Sequence, residues 1–162
     1  MKRLRIVNLL DDFALGGVSL GLNIFSAPEL AEIADFETVA VPPDAMIGPR
    51  VDADIILCHI PPTWRRLSMM KSLRLRNPRA KLIQVEHSYS PDWERLNVAN
   101  KRRFRLMIRL AFGMADHVVA MSHSQARWMH EIGAIGSSGF SVIYPYNRRK
   151  GFAAVPDMHM PV

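Results

Sequence analysis

Cysteine is nearly absent from this 162-residue chain: Cys58 is the only one. No internal disulfide can form, so burial alone has to hold the fold, and a reducing compartment is the expected setting. Long hydrophobic runs are missing too. None approaches the roughly 20 residues that span a bilayer as a helix. The apolar stretch after Lys2, Arg3 and Arg5 is too short for a signal peptide and ends at Asp11-Asp12. Aromatic residues make up only 8% of the chain and no zinc-finger spacing accompanies them, which argues against nucleic acid as a partner. The six histidines contain no pair at metal-ligand spacing, and His123 and His130 stand seven apart, so no metal site is expected. What the chain does have is 49% hydrophobic residues, enough for a sizeable core in one domain. It also carries a net charge of +6, which draws it toward something anionic.

Short apolar runs alternate with longer amphipathic segments. Most of the runs at 4–10, 36–41, 54–59, 81–86, 117–121 and 141–144 are nearly continuous in apolar residues, as strands buried on both faces of a parallel sheet are. Between them, 18–34, 62–77, 91–115 and 123–132 read as helices. Pro42-Pro43 and Gly48-Pro49 make the gap before the third strand a loop with at most one helical turn. This alternation predicts an α/β fold, a Rossmann-like parallel sheet with helices on both faces. Residues 1–150 are expected to form the domain, and 151–162 a linker or frayed tail. Ser90 and Ser122 or Ser124 sit where helix N-caps belong, and Pro91 suits a first turn.

In open sheets of this kind ligands bind outside the carboxyl ends of the strands. Gly16-Gly17 follow the first strand and precede a helix start, so their backbone N–H groups can approach a phosphate or a sugar hydroxyl. The full dinucleotide fingerprint is absent, and a tight turn without a ligand fits equally well. His87 opens the loop His87-Ser88-Tyr89-Ser90-Pro91 at the end of another strand, where an imidazole can orient a hydroxyl or act as acid or base. A loop histidine bonded to backbone is the bland alternative. His59 ends a further strand at the same edge, and Glu86 is a candidate base whose strand alternation can turn it away from the cleft. Ser88 has no aspartate–histidine partner evident in the sequence, so a hydrolase triad is not supported.

Basic residues cluster on two helices. Arg102, Arg105 and Arg109 share one face at i, i+3, i+7, with Phe104, Met107, Ile108 and Ala111 roughly opposite. The second cluster is Arg65, Arg66, Lys71, Arg74, Arg76, Arg79 and Lys81. Such a face can lie on anionic lipid at roughly 1 kcal/mol per cation. It can equally be a solvated face over a buried stripe.

Four stretches together resemble the N-terminal domain of family GT4, retaining glycosyltransferases of the two-domain GT-B architecture. They are the first strand with Gly16-Gly17-Val18-Ser19, the segment Lys81 to Ser88, the run Ala115-Asp116-His117-Val118-Val119-Ala120-Met121-Ser122-His123-Ser124, and Ser141-Val142-Ile143-Tyr144-Pro145-Tyr146-Asn147. The third is the most specific, matching an "AD-x-V-x-A-x-S-x-S" pattern. The likeness covers roughly residues 3–147. It implies that Gly16 and Gly17 approach the donor phosphate or transferred sugar, that His87 is the catalytic contact to sugar or acceptor hydroxyl, and that Ser88, Tyr89 and Ser122 line the substrate site. It implies transfer of a sugar from a nucleotide-sugar donor to a lipid-linked or polysaccharide acceptor with retention, helped by electrostatic stabilisation of the leaving diphosphate. The chain itself would hold no cofactor, and the nucleotide sugar would bind a C-terminal donor domain, absent from this sequence, or a separate subunit. The expected location is cytoplasmic, with the inner membrane face as a docking surface for Arg102, Arg105 and Arg109.

The sequence departs from the family where Arg148-Arg149-Lys150 stand in place of a frequent Gly-Val-Asp. A non-catalytic Rossmann-like module binding an anionic ligand or protein partner is the competing reading. A nucleotide-binding enzyme of another class is disfavoured, because the second run ends Ala40-Val41-Pro42-Pro43 with no acid to hold a ribose.

Overall fold

A computed structural model describes residues 3–11, 22, 25 and 27–144. Six strands lie in one sheet: β1 (Leu4–Leu10), β2 (Ala34–Ala40), β3 (Ile55–Cys58), β4 (Lys81–Glu86), β5 (His117–Ala120) and β6 (Phe140–Val142). All neighbouring pairs are parallel, in the order β2-β1-β3-β4-β5-β6. The helices are α1 (Pro28–Ala31), α2 (Leu67–Arg76), α3 (Pro91–Asn97), α4 (Lys101–Phe112) and α5 (His123–Glu131). The fold is thus the expected α/β, Rossmann-like one. The chain steps from β1 outward to β2, then back past β1 to β3, so the direction of travel reverses between β1 and β3. At that reversal the connections leave on opposite sides and open a crevice at the carboxyl ends of the strands.

The central strands are apolar because helices cover them. Val7, Leu9, Ile56, Cys58, Leu82, Val118 and Ala120 are buried together with Met69, Met70 and Leu73 of α2, Phe104, Met107, Ile108 and Ala111 of α4, and Met129 of α5. Edge strand β2 alternates largely exposed residues, and it begins at Ala34 rather than 36 because its register continues one-to-one along β1.

The segment expected as one helix over 91–115 is two. Val98 adopts extended angles, and Asn100 starts a fresh helix by accepting from the Arg103 N–H at 3.0 Å. Ser90 and Ser122 cap α3 and α5 in the same way, accepting from Trp93 and Gln125 N–H. The helix expected over 62–77 starts only at Leu67, after the turn at Thr63 that binds the Arg66 N–H. Of the helix expected over 18–34, Pro28–Ala31 is described as helical, and most of its first half lies outside the described residues. Gly133 ends α5 at φ +67°, the left-handed conformation a helix terminus calls for.

The long loop before β3 is tied to α2. Gly48 N–H donates to Ser72 Oγ at 2.7 Å, Val51 N–H to Asn77 Oδ1 at 2.9 Å, and Asn77 Nδ2 to the Pro49 carbonyl at 2.9 Å. Gly48 lies so close to the helix that a Cβ would stand 2.5 Å from Leu73 Cβ and 2.7 Å from its Cα. Backbone cannot yield as a side-chain tip can. Gly48→Ala is therefore expected to lower stability by roughly 1–3 kcal/mol, the usual range for forced overpacking. Chemical denaturation measures it, and an unchanged midpoint would show that the loop lifts off α2 freely.

Candidate functional site at the carboxyl edge of the sheet

Three polar side chains on three adjacent strands meet at the reversal. Asn8 lies within β1 and is almost wholly buried, His59 directly follows β3, and His87 directly follows β4. His59 Nε2 is 3.1 Å from Asn8 Oδ1, and His59 Nδ1 is 3.0 Å from His87 Nε2. The two rings lie 25° from parallel with centroids 5.2 Å apart. His59 is buried and His87 half-buried, so the row runs from the sheet interior toward solvent. Burial lowers both imidazoles below the ordinary histidine range. For His59 the His87 charge adds to this, bringing it to about 4.

An ion pair flanks the row. Asp11, the first residue past β1, meets Arg66 at 2.5 Å, and both side chains are largely covered. Arg66 also donates to the Pro61 carbonyl at 3.4 Å. Nearby Cys58 is fully buried and its thiol is pushed up to about 11 by burial, so it stays protonated and inert.

Beneath the His87 loop lies Glu86, with no exposed surface. Its Oε1 accepts from the Ser88 N–H at 2.6 Å and the Tyr89 N–H at 2.9 Å, so this carboxyl shapes the turn that presents His87. Its Oε2 is buried without a partner among the described residues, and so is Oε1 of Gln84, two residues back on the same face of β4. A proton on Oε2 turns one of these two stranded acceptors into a donor. Burial raises the Glu86 carboxyl to about 7, against the lowering effect of the two backbone N–H groups, which agrees with a neutral acid. Gln125 of α5 ties the turn from the other side, donating through Nε2 to the carbonyls of Tyr89 at 2.6 Å and Glu86 at 3.2 Å.

The residues singled out from sequence are placed as follows. His87 is at the crevice and Ser88 is exposed beside it. Tyr89 is an anchor: buried, its hydroxyl donates to the Pro62 carbonyl at 2.7 Å, and its ring packs on Trp93 and Phe104. Ser122 stands at the neighbouring strand end, with its Oγ engaged as the α5 cap. Gly16 and Gly17 lie outside the described residues. Of the three arginines, Arg105 is clamped by buried Glu94, Nε to Oε1 at 2.6 Å and Nη2 to Oε2 at 3.0 Å. Trp128 Nε1 adds a third bond to Glu94 at 3.0 Å. Arg109 Nε donates to the Ile132 carbonyl at 2.6 Å, while Arg102 is exposed. Arg105 thus joins α3 to α4 and is not a free outward cation.

Asn8 and the Asp11–Arg66 pair were not singled out from sequence. Asn8 carried a readable signal, as an amide between apolar Ile6-Val7 and Leu9-Leu10. Among the described residues no group of three His, Cys, Asp or Glu side chains could hold a metal ion, and no helix is long and apolar enough to cross a membrane. No family model matches the chain, and a search of curated proteins returns no match.

Proposed function

We propose that this chain is the acceptor-binding domain of a retaining glycosyltransferase of the two-domain, GT4-like kind, taking a sugar or lipid-linked acceptor at the carboxyl edge of its sheet. The observation that carries the reading is the row Asn8–His59–His87 at the point where the sheet reverses. It delivers a half-buried imidazole to the place where open α/β sheets bind ligands. A neutral His87 there can accept a hydrogen bond from a sugar hydroxyl and hold it for reaction. The proposed donor is a nucleotide sugar bound by a second domain or subunit, with the transferred sugar meeting the acceptor across the crevice. The net charge of +6 favours work at an anionic surface, proposed as the inner face of a membrane. Arg102 and its exposed neighbours Lys101 and Arg103 would carry that contact, since Arg105 is held by Glu94.

The experiment is a transfer assay. Lysates expressing the chain together with its donor partner are supplied with labelled nucleotide sugars, and incorporation into lipid and polysaccharide fractions is counted. Label dependent on this chain supports the proposal, and equal incorporation without it overturns it. The division of labour has its own check. The chain alone is expected to show no micromolar binding to any nucleoside diphosphate sugar by calorimetry, because the donor site would lie elsewhere. A micromolar dissociation constant would mean that this domain holds the donor.

A further inference from the structure

The direction of the hydrogen bonds along Asn8–His59–His87 follows from the first of them. Asn8 turns Oδ1, an acceptor, toward His59 Nε2, so Nε2 carries the hydrogen. A neutral imidazole has one N–H, which leaves His59 Nδ1 as a lone pair. His87 Nε2 lies 3.0 Å from that lone pair and has to donate to it. The neutral His87 ring then has its own lone pair on Nδ1, which no described residue engages.

We propose that His59 is a positioning residue that holds His87 as its Nε2–H tautomer, so that the two rings together take up a single proton and take it at His87 Nδ1. This deepens the reading of His87 given above, because it names the nitrogen that would meet a hydroxyl or return a proton. The proton count follows from the bonding. A proton added at His87 Nδ1 leaves Nε2–H in place, and the whole row survives. A proton added at His59 Nδ1 would set two N–H groups against each other across 3.0 Å and put charge in a buried ring. The surrounding elements bring Asp11 from β1, Cys58 from β3, Arg66 from the start of α2, and Glu86 and Tyr89 from β4 and its turn. Asp11 and Arg66 neutralise each other, and the Glu86 carboxyl is turned to the Ser88 and Tyr89 N–H groups through its Oε1. None of them supplies His59 Nδ1 with an acceptor for a second proton.

The test is nitrogen-15 magnetic resonance of the imidazoles in the whole chain. At pH 7.5 one bridging proton should show its one-bond coupling to His87 Nε2 and a through-hydrogen-bond coupling to His59 Nδ1. On stepwise acidification the His87 Nδ1 resonance should move to the protonated position while the bridging signal persists. In His59→Phe the bridging signal should be lost. In His59→Gln, whose amide oxygen can accept, the His87 Nε2 proton should again be protected from solvent exchange. A bridging proton bonded to His59 Nδ1 would overturn the proposal, as would its loss when His87 protonates, or titration of His59 first. The wild-type spectra decide the matter even if a variant fails to fold. They do so whether or not the chain transfers sugar, so failure here and failure of the transfer assay are separate results.

Discussion

Turnover of the proposed transferase, assembled with its donor half, is expected to fall on the order of 100-fold or more when His87 is replaced by alanine, the usual scale for losing a positioned acid–base or orienting group. The fold should survive. His87 is half-buried, and its one hydrogen bond is to His59 Nδ1 among the described residues. Losing that bond costs about 1 kcal/mol, roughly 2–4 °C in melting temperature for a domain of this size. The pH profile adds a second readout. Burial lowers the His87 pKa, so the ring stays neutral into more acid solution than a free histidine. If the neutral form orients the hydroxyl, the acid limb of the rate should lie below the ordinary value near 6.5. An unchanged rate per folded molecule, or an alanine variant with an intact acid limb, would assign His87 to the structure of the loop alone.

The strands were legible because burial on both faces leaves mostly apolar runs, and four of the six both begin and end within one residue of where those runs do. The break between α3 and α4 was harder. Amphipathic periodicity runs through Asn97-Val98-Ala99-Asn100 almost undisturbed, and the signal that ends it is a single capping asparagine. That break changes the meaning of Arg105. On one straight helix it stands in line with Arg102 and Arg109. With the helix broken, Glu94 of α3 meets the guanidinium, a pairing between residues eleven apart that helical spacing does not suggest.

The site was half legible for a related reason. His59 and His87 are visible as the residues that end two strands, but their contact depends on β3 lying next to β4, which is a property of sheet order. Glu86 shows the limit of alternation. In a sheet covered on both sides a side chain turned from the cleft enters the core, so a carboxylate there is either a buried acid or a misplaced strand. The structure shows the former, with Ser88 and Tyr89 N–H groups on one oxygen.

The largest stability effect is expected from Glu86→Gln, and its sign depends on pH. The folded carboxyl titrates near 7 against about 4.5 for an ordinary one, so the native state holds its proton after the unfolded chain has released it. The unfolded state therefore binds fewer protons in this window, and stability is full below about 4.5 and falls as pH rises toward 7. Glutamine keeps an oxygen for the two backbone N–H groups, puts an amide NH2 where the carboxyl oxygen has no partner among the described residues, and cannot ionise. At pH 8 the variant should be more stable than the parent by about 3 kcal/mol, each pKa unit being worth 1.36 kcal/mol. In melting temperature this is roughly 6–12 °C. At pH 4.5 the two should be nearly equal. His59 works in the opposite sense over much of the same range: its folded pKa is lowered to about 4, so its contribution is present above 6.5 and is lost as pH falls. Subtracting the parent curve from the variant curve removes that shared loss and leaves Glu86 alone. A variant no more stable than the parent at pH 8 would mean that the folded carboxylate is ionised and compensated, and that its second oxygen has found a cation.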